Sequence, residues 1–221
     1  MAERAPVVPA KPRTLPPIAR EVKAQAMILG SLVGLMWVLE IVDQVAFGEG
    51  MDALGVHPRS LRGLYGIVFA PFLHVGFAHL VANTVPLVVL GIFIMLRRKR
   101  DLLYVSLAAA LVGGVGVWLV GASHSVHLGA SVLVFGYLGY MLSRGIFERS
   151  FWPIVGSLVV GLLYGGAIFG VLPGQPGISW EGHLFGFAGG VLAAWVLTQQ
   201  AKVAARAKVG AAGAAVRRPA R

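Results

Sequence analysis

Residues 71–86 read PFLHVGFAHLVANTVP, an apolar run that carries His74, His79 and Asn83 near its start. Two later apolar runs open in the same manner, one with LGAS at 128–131 and one with EGHLFGFAGG at 181–190. Polar and ionisable side chains are costly in a bilayer and mark a site when they recur there. Three such groups, each at the start of a hydrophobic segment, are therefore read together as one site rather than as packing.

Composition identifies the runs as membrane spans. The chain has 221 residues, of which 57% are hydrophobic and 13% charged. Stretches of about 20 apolar residues, the length that crosses a bilayer, recur along it. Six are expected, covering 25–47, 77–96, 102–121, 129–143, 151–172 and 183–199. The fourth is short, but a polar helix start is tolerated at membrane depth when protein surrounds it. The first run follows a segment containing Pro6, Pro9, Pro12, Pro16 and Pro17 and exceeds a signal-peptide core in length, so it is expected to remain as a span. The domain organisation expected is a disordered basic, Pro-rich tail at 1–24, a six-span core at 25–199 and a basic tail at 200–221. With no cysteine, disulfides and thiolate chemistry are excluded.

A net charge of +10 raises nucleic acid as a partner. The basic residues are nevertheless sorted by connection. Five lie before the first span, four at Arg97–Arg100, two at Arg144 and Arg149, and six from Lys202 onward, against only Arg59 and Arg62 on the alternate side. That split is the positive-inside pattern, which puts both termini in the cytoplasm and makes the lipid headgroups the partner of these charges, with no nucleic acid required. Spans two, four and six then all run inward. Residues near their starts, His79, Asn83, Ser131 and His183, share one layer near the outer face.

The chemistry of that layer is acyl transfer. A serine hydroxyl becomes nucleophilic when a neighbouring base takes its proton, and Ser131 with His183 is the pair available. The tetrahedral intermediate needs fixed donors. His79 and Asn83, four apart, project from one helix face, and the Ser131 N–H at a helix start adds a third donor. Phe135, one turn after Ser131, is positioned to pack on His183. Gly129 precedes the serine, and Gly186 and Gly190 follow His183 at spacings that allow close helix approach.

These residues make the chain resemble a rhomboid intramembrane serine protease. The resemblance rests on His74, His79 and Asn83 in H-x4-H-x3-N, on Gly129–Ala130–Ser131, and on Gly182–His183 with Gly186, in the family's order, over about 25–199. It implies an all-α membrane protein, a six-helix rhomboid-like bundle. It also implies a Ser131–His183 dyad, an oxyanion site of His79, Asn83 and the Ser131 amide, and His74 supporting the outer end of the second span. The implied activity is cleavage of single-span or other transmembrane proteins near the membrane surface, with no metal and no cofactor. The chain departs from the family's G-x-S-G at Val132, whose β-branched side chain is expected to narrow the space beside the nucleophile, and Phe135 stands where a tyrosine is usual.

Competing readings are weighed on the same residues. A zinc site built from the histidines lacks H-E-x-x-H. Ser123 and Ser125, near His124 and His127, fall in a loop without a helix start. A transporter calls for a polar path across the bilayer or an internal repeat. A catalytically impaired rhomboid-like protein that binds membrane helices is the alternative, supported by Val132. Glu40 and Asp43 are expected to reach headgroups or to pair with Arg59 or Arg62. The segment suited to admit a substrate is span five with Leu172–Ser179, where Pro173, Gly174, Pro176 and Gly177 interrupt regular structure. The Ala-, Gly-, Val- and Arg-rich composition suggests a bacterial plasma-membrane protein.

Overall fold

The computed structural model describes residues 16–175 and 177–216. Among these residues the secondary structure is helical: α1 (Pro17–Val42), α2 (Gly63–Phe69), α3 (Gly76–Met95), α4 (Lys99–Val120), α5 (Ser131–Glu148), α6 (Phe151–Tyr164) and α7 (Trp180–Val216). Short 3-10 and π turns extend α1 through Phe47 and α6 through Val171. Five helical stretches, Ile18–Phe47, Gly76–Met95, Lys99–Val120, Phe151–Val171 and Trp180–Ala211, are long and apolar enough to cross a membrane.

α5 is the centre of the bundle. It has 18 residues, and every one from Leu133 to Met141 is buried, so the helix is enclosed on all sides. It packs on α7, α6, α4 and α3. A helix surrounded by protein has its polar groups met by neighbours, which is why α5 can carry Ser143, Arg144 and Glu148. α1 and α6 are peripheral by contrast: Val160 is the buried residue of α6, and Phe151, Trp152, Leu158 and Leu162 are exposed. Exposed apolar surface on this scale fits lipid contact.

Close helix approach depends on glycine. A Cβ at Gly190 would land on the Gly136 carbonyl and one at Gly189 on the Ala108 carbonyl, so α7 lies against α5 and α4 backbone to backbone. The remaining core is filled by Leu80, Leu87, Leu90, Ile94, Tyr137 and Tyr140, all fully buried, with the Tyr137 hydroxyl 2.7 Å from Ser106 Oγ.

Three expectations change. α1 begins at Pro17, where proline suits the first helical position because its missing N–H would be unpaired anyway, so 17–24 is helix rather than tail. α7 likewise continues past 199 to Val216 on an Ala-rich sequence of high helix propensity; residues 1–15 and 217–221 lie outside the described residues. Glu40 and Asp43 do not pair with Arg59 or Arg62. Asp43 is buried and accepts the Met51 N–H at 2.8 Å, Glu40 accepts from Gln44, and Arg59 donates to the Leu119 carbonyl and to Ser123. The 48–75 segment is braced by backbone groups, and its Val56 exchanges two main-chain hydrogen bonds, 2.8 and 3.0 Å, with His127.

Candidate active site

Ser131 opens α5, His79 and Asn83 stand one turn apart on α3, and His183 stands in the first turn of α7. The fold brings all four to one cavity of about 820 Å³, whose wall also includes Phe135, His127, Ser179, Ala82, Pro86 and Tyr164. Pro86 lies inside α3 and has no N–H for the carbonyl of Ala82, four residues before it; both residues border the cavity.

His183 is held on two sides. Its ring stacks on Phe135 with centroids 3.9 Å apart and planes within 10°. Its Nδ1 is 2.9 Å from the Gly170 carbonyl. A carbonyl only accepts, so Nδ1 carries the proton and Nε2 is the nitrogen left to take one. Among the described residues no hydrogen bond joins Ser131 Oγ to His183. Catalytic hydrogen bonds are commonly loose before substrate binds, so shared lining of the cavity is the relevant geometry.

The donors are arranged around Ser131. The N–H groups of Ser131 and Val132, at the positive end of the α5 dipole, have no protein acceptor among the described residues. Asn83 is buried and donates one amide hydrogen to the His79 carbonyl at 3.0 Å, which leaves a second. The His79 ring lies against Gly129, which adopts φ +119°; a side chain there would be strained and would press on the imidazole.

His74 sits behind the site. It is 2% exposed, and its Nε2 accepts the Ala130 N–H at 3.2 Å, tying the residue before Ser131 to the segment that enters α3. Its ring and that of His79 meet edge to face, with centroids 5.2 Å apart. Burial, aided by the neighbouring His79, pushes the His74 pKa down to about 4, so the ring is neutral and its acceptor intact at ordinary pH.

Val132 borders a small cavity of about 30 Å³ against α2 and α4, which it shares with Ser131. It is absent from the wall of the large cavity and fits between α4 and α7, where a Cβ on Gly113 or Gly186 would strike its Cγ2 or its carbonyl. Gly186 thus serves to receive Val132. The α6 extension is coupled to His183, because the carbonyl of Gly170 on that extension accepts from its ring. Phe151 and Trp152 meet edge to face where α6 follows α5, at the end away from the site, whereas Phe169 adjoins Gly170. Pro176 lies outside the described residues.

Two features escaped the sequence reading. The Gly170 carbonyl has no signature, since every residue has one; its glycine fits because a Cβ there would come within 2.9 Å of Phe135 and 3.1 Å of His183. His127, set aside with the loop serines, lies 2.7 Å from Ser125 Oγ and 2.6 Å from Ser179 Oγ.

The Rhomboid domain model matches residues 61–200. An uncharacterized protein of Mycobacterium tuberculosis is 39% identical over 201 residues, covering 85% of this chain and 82% of its own, and an uncharacterized protein of Mycobacterium leprae is 39% identical over 176 residues, 76% and 69%. A Bacillus subtilis protein provisionally named a rhomboid protease, YdcA, is 28% identical over 134 residues, 58% of this chain and 64% of its own.

Proposed function

Because the chain belongs to the rhomboid family, we propose that it is an intramembrane serine endopeptidase that cleaves transmembrane segments of other proteins with a Ser131–His183 dyad. The observation that carries this reading is the meeting of Ser131, His183, His79 and Asn83, from three separate helices, on one cavity. Ser131 Oγ attacks the scissile carbonyl carbon as its proton passes to His183 Nε2. The oxyanion takes the Ser131 N–H and the Asn83 and His79 donors. His183 then returns the proton to the leaving amine, and water hydrolyses the acyl enzyme by the same steps in reverse order. No carboxylate is needed to orient the base, since the Gly170 carbonyl fixes the tautomer and Phe135 fixes the ring plane.

The bundle crosses the membrane six times in this reading. α5 is the fourth span, enclosed by α3, α4, α6 and α7, and the basic residues keep both termini in the cytoplasm. The site then faces the outer side of a bacterial plasma membrane, a setting in keeping with the mycobacterial relatives. A non-cleaving helix binder is the weaker reading, because Val132, its support, is no part of the wall of the large cavity where the four polar residues meet.

The test is incubation of the purified protein in liposomes with a single-span substrate. Wild type cleaves, Ser131→Ala and His183→Ala do not while remaining folded, and a fluorophosphonate labels Ser131. Labelling at Ser123, or undiminished cleavage by Ser131→Ala, overturns the assignment.

A further inference from the structure

From the contacts of His127 we infer that it is a positioning residue, a clamp that sets the distance between the nucleophile and the base; the inference rests on the dyad proposed above. His127 belongs to the loop that delivers Ser131, four residues later. Its Nδ1 meets Ser179 Oγ at 2.6 Å, and Ser179 precedes His183 by four. Ser179 also caps α7: its Oγ accepts the Gly182 N–H at 3.2 Å, and its carbonyl accepts the His183 N–H at 3.1 Å. A single side chain therefore joins the approach to Ser131 with the turn that carries His183.

The protons of this chain can be placed. Ser125 Oγ lies 2.6 Å from the Ala122 carbonyl, which only accepts, so the Ser125 hydroxyl donates there. His127 Nε2–H then donates to Ser125 Oγ, and Nδ1 accepts the Ser179 hydroxyl. The Ala122 carbonyl also takes the Ser125 N–H at 3.3 Å, and the chain runs from the α7 N-terminus to the end of α4 without a gap. The main chain of His127 is fixed as well, by its two hydrogen bonds to Val56. The ring is half-buried and borders the large cavity, so it is near the chemistry without being required to touch a substrate. Ser125 and His127 do not form a second catalytic pair, because the Ser125 proton is directed at Ala122 rather than at the imidazole.

The clamp makes a specific kinetic demand. Displacement of a catalytic group by about 1 Å costs on the order of 100-fold, so loosening the Ser131–His183 spacing lowers turnover by about 10- to 100-fold and leaves substrate affinity nearly unchanged. The experiment compares wild type, His127→Ala, His127→Gln, Ser179→Ala and the His127→Ala/Ser179→Ala double variant in liposomes, with kcat counted per fluorophosphonate-titrated site. His127→Ala is expected to lose kcat with KM constant. Gln, which keeps a donor and an acceptor, restores most of it, and the double variant is no worse than His127→Ala because both residues act through one contact.

A KM effect without a kcat effect, an unchanged kcat per site, or equal losses for Ala and Gln overturns the clamp. Label on Ser179 also overturns it, since His127 would then be a base. Should wild type neither cleave nor label, the proposed function fails and the clamp is decided by distance. The chain has no cysteine, so Ala122→Cys and Leu184→Cys take spin labels at those two positions alone. The distance distribution is expected to broaden in His127→Ala and narrow again in His127→Gln; identical distributions in all three refute the clamp.

Discussion

The two ends of the bundle treat polar side chains in opposite ways. Where α4 begins and α5 ends, Arg97 and Arg144 both reach Glu148, the Tyr140 hydroxyl points at Asp101, and Ser143 donates back to the Gly139 carbonyl. Every one of these charges has a partner of opposite sign or a donor beside it. At the site end, His183 uses one ring nitrogen, Asn83 one amide hydrogen, and the first N–H groups of α5 none. Polar groups that answer one another fasten helices; polar groups with capacity turned toward a cavity can act on something that enters it.

This contrast is broken most directly by activity. Ser131→Ala or His183→Ala should lower cleavage by at least about 10,000-fold, with the double variant little worse, because the pair acts as a unit. Glu148→Gln at the opposite end should leave the rate per folded molecule intact. A rate lost equally at both ends would erase the distinction. Next in size are His79→Ala and Asn83→Ala, each expected to slow turnover about 100- to 1000-fold while Ser131 still reacts with fluorophosphonate. Rates equal to wild type would remove both from the oxyanion site.

At the fastening end the effect is on stability. Glu148 bridges two arginines in a half-buried setting, so Glu148→Gln should destabilise by about 2 kcal/mol, less than the loss of a fully buried pair, as read by thermal denaturation in detergent.

His74 is a fastener placed at the site end. Its folded pKa, about 4, lies below the ordinary value of 6.5, so the unfolded chain binds the proton first. Its contribution is complete above about pH 6.5 and is lost as pH falls toward 4, by about 1 kcal/mol per pH unit at most. His74→Gln, which can accept the Ala130 N–H without titrating, should flatten the fall in melting temperature over that window. An equal fall in wild type and variant would assign the acid sensitivity elsewhere.

The smallest effect concerns entry. Phe169→Ala should change cleavage of a membrane-embedded substrate only a few-fold, and Phe151→Ala and Trp152→Ala, at the far end of α6, should not change it at all. Acceleration by the latter two would mean that the whole helix swings rather than its extension.

What could be read from the sequence follows the same division. Ser131, His183, His79 and Asn83 were legible because side-chain chemistry is written in the residue type and counting spans put them at one depth. The enclosure of α5 was legible from its polar start. The Gly170 carbonyl was not, since the main chain carries no label, and neither was the His127–Ser179 contact, which joins a loop to a helix cap across 52 positions with no local period. The direction of Val132 depended on Gly113, a residue on another helix. The helical extension of α7 was available in principle from its alanines, but the fall in hydropathy past 199 does not end the helix.

The hydrogen bond from His183 to Gly170 imposes an order of events on catalysis. The carbonyl belongs to the Gly165–Val171 extension of a helix that has little buried surface, so the proposed base is held by the least buried of the candidate spans. If a substrate enters by pushing that extension aside, the imidazole loses the partner that keeps its proton on Nδ1 while the path is open. Cleavage then waits for the extension to return, and a transmembrane segment that wedges it open occupies the site without being cut.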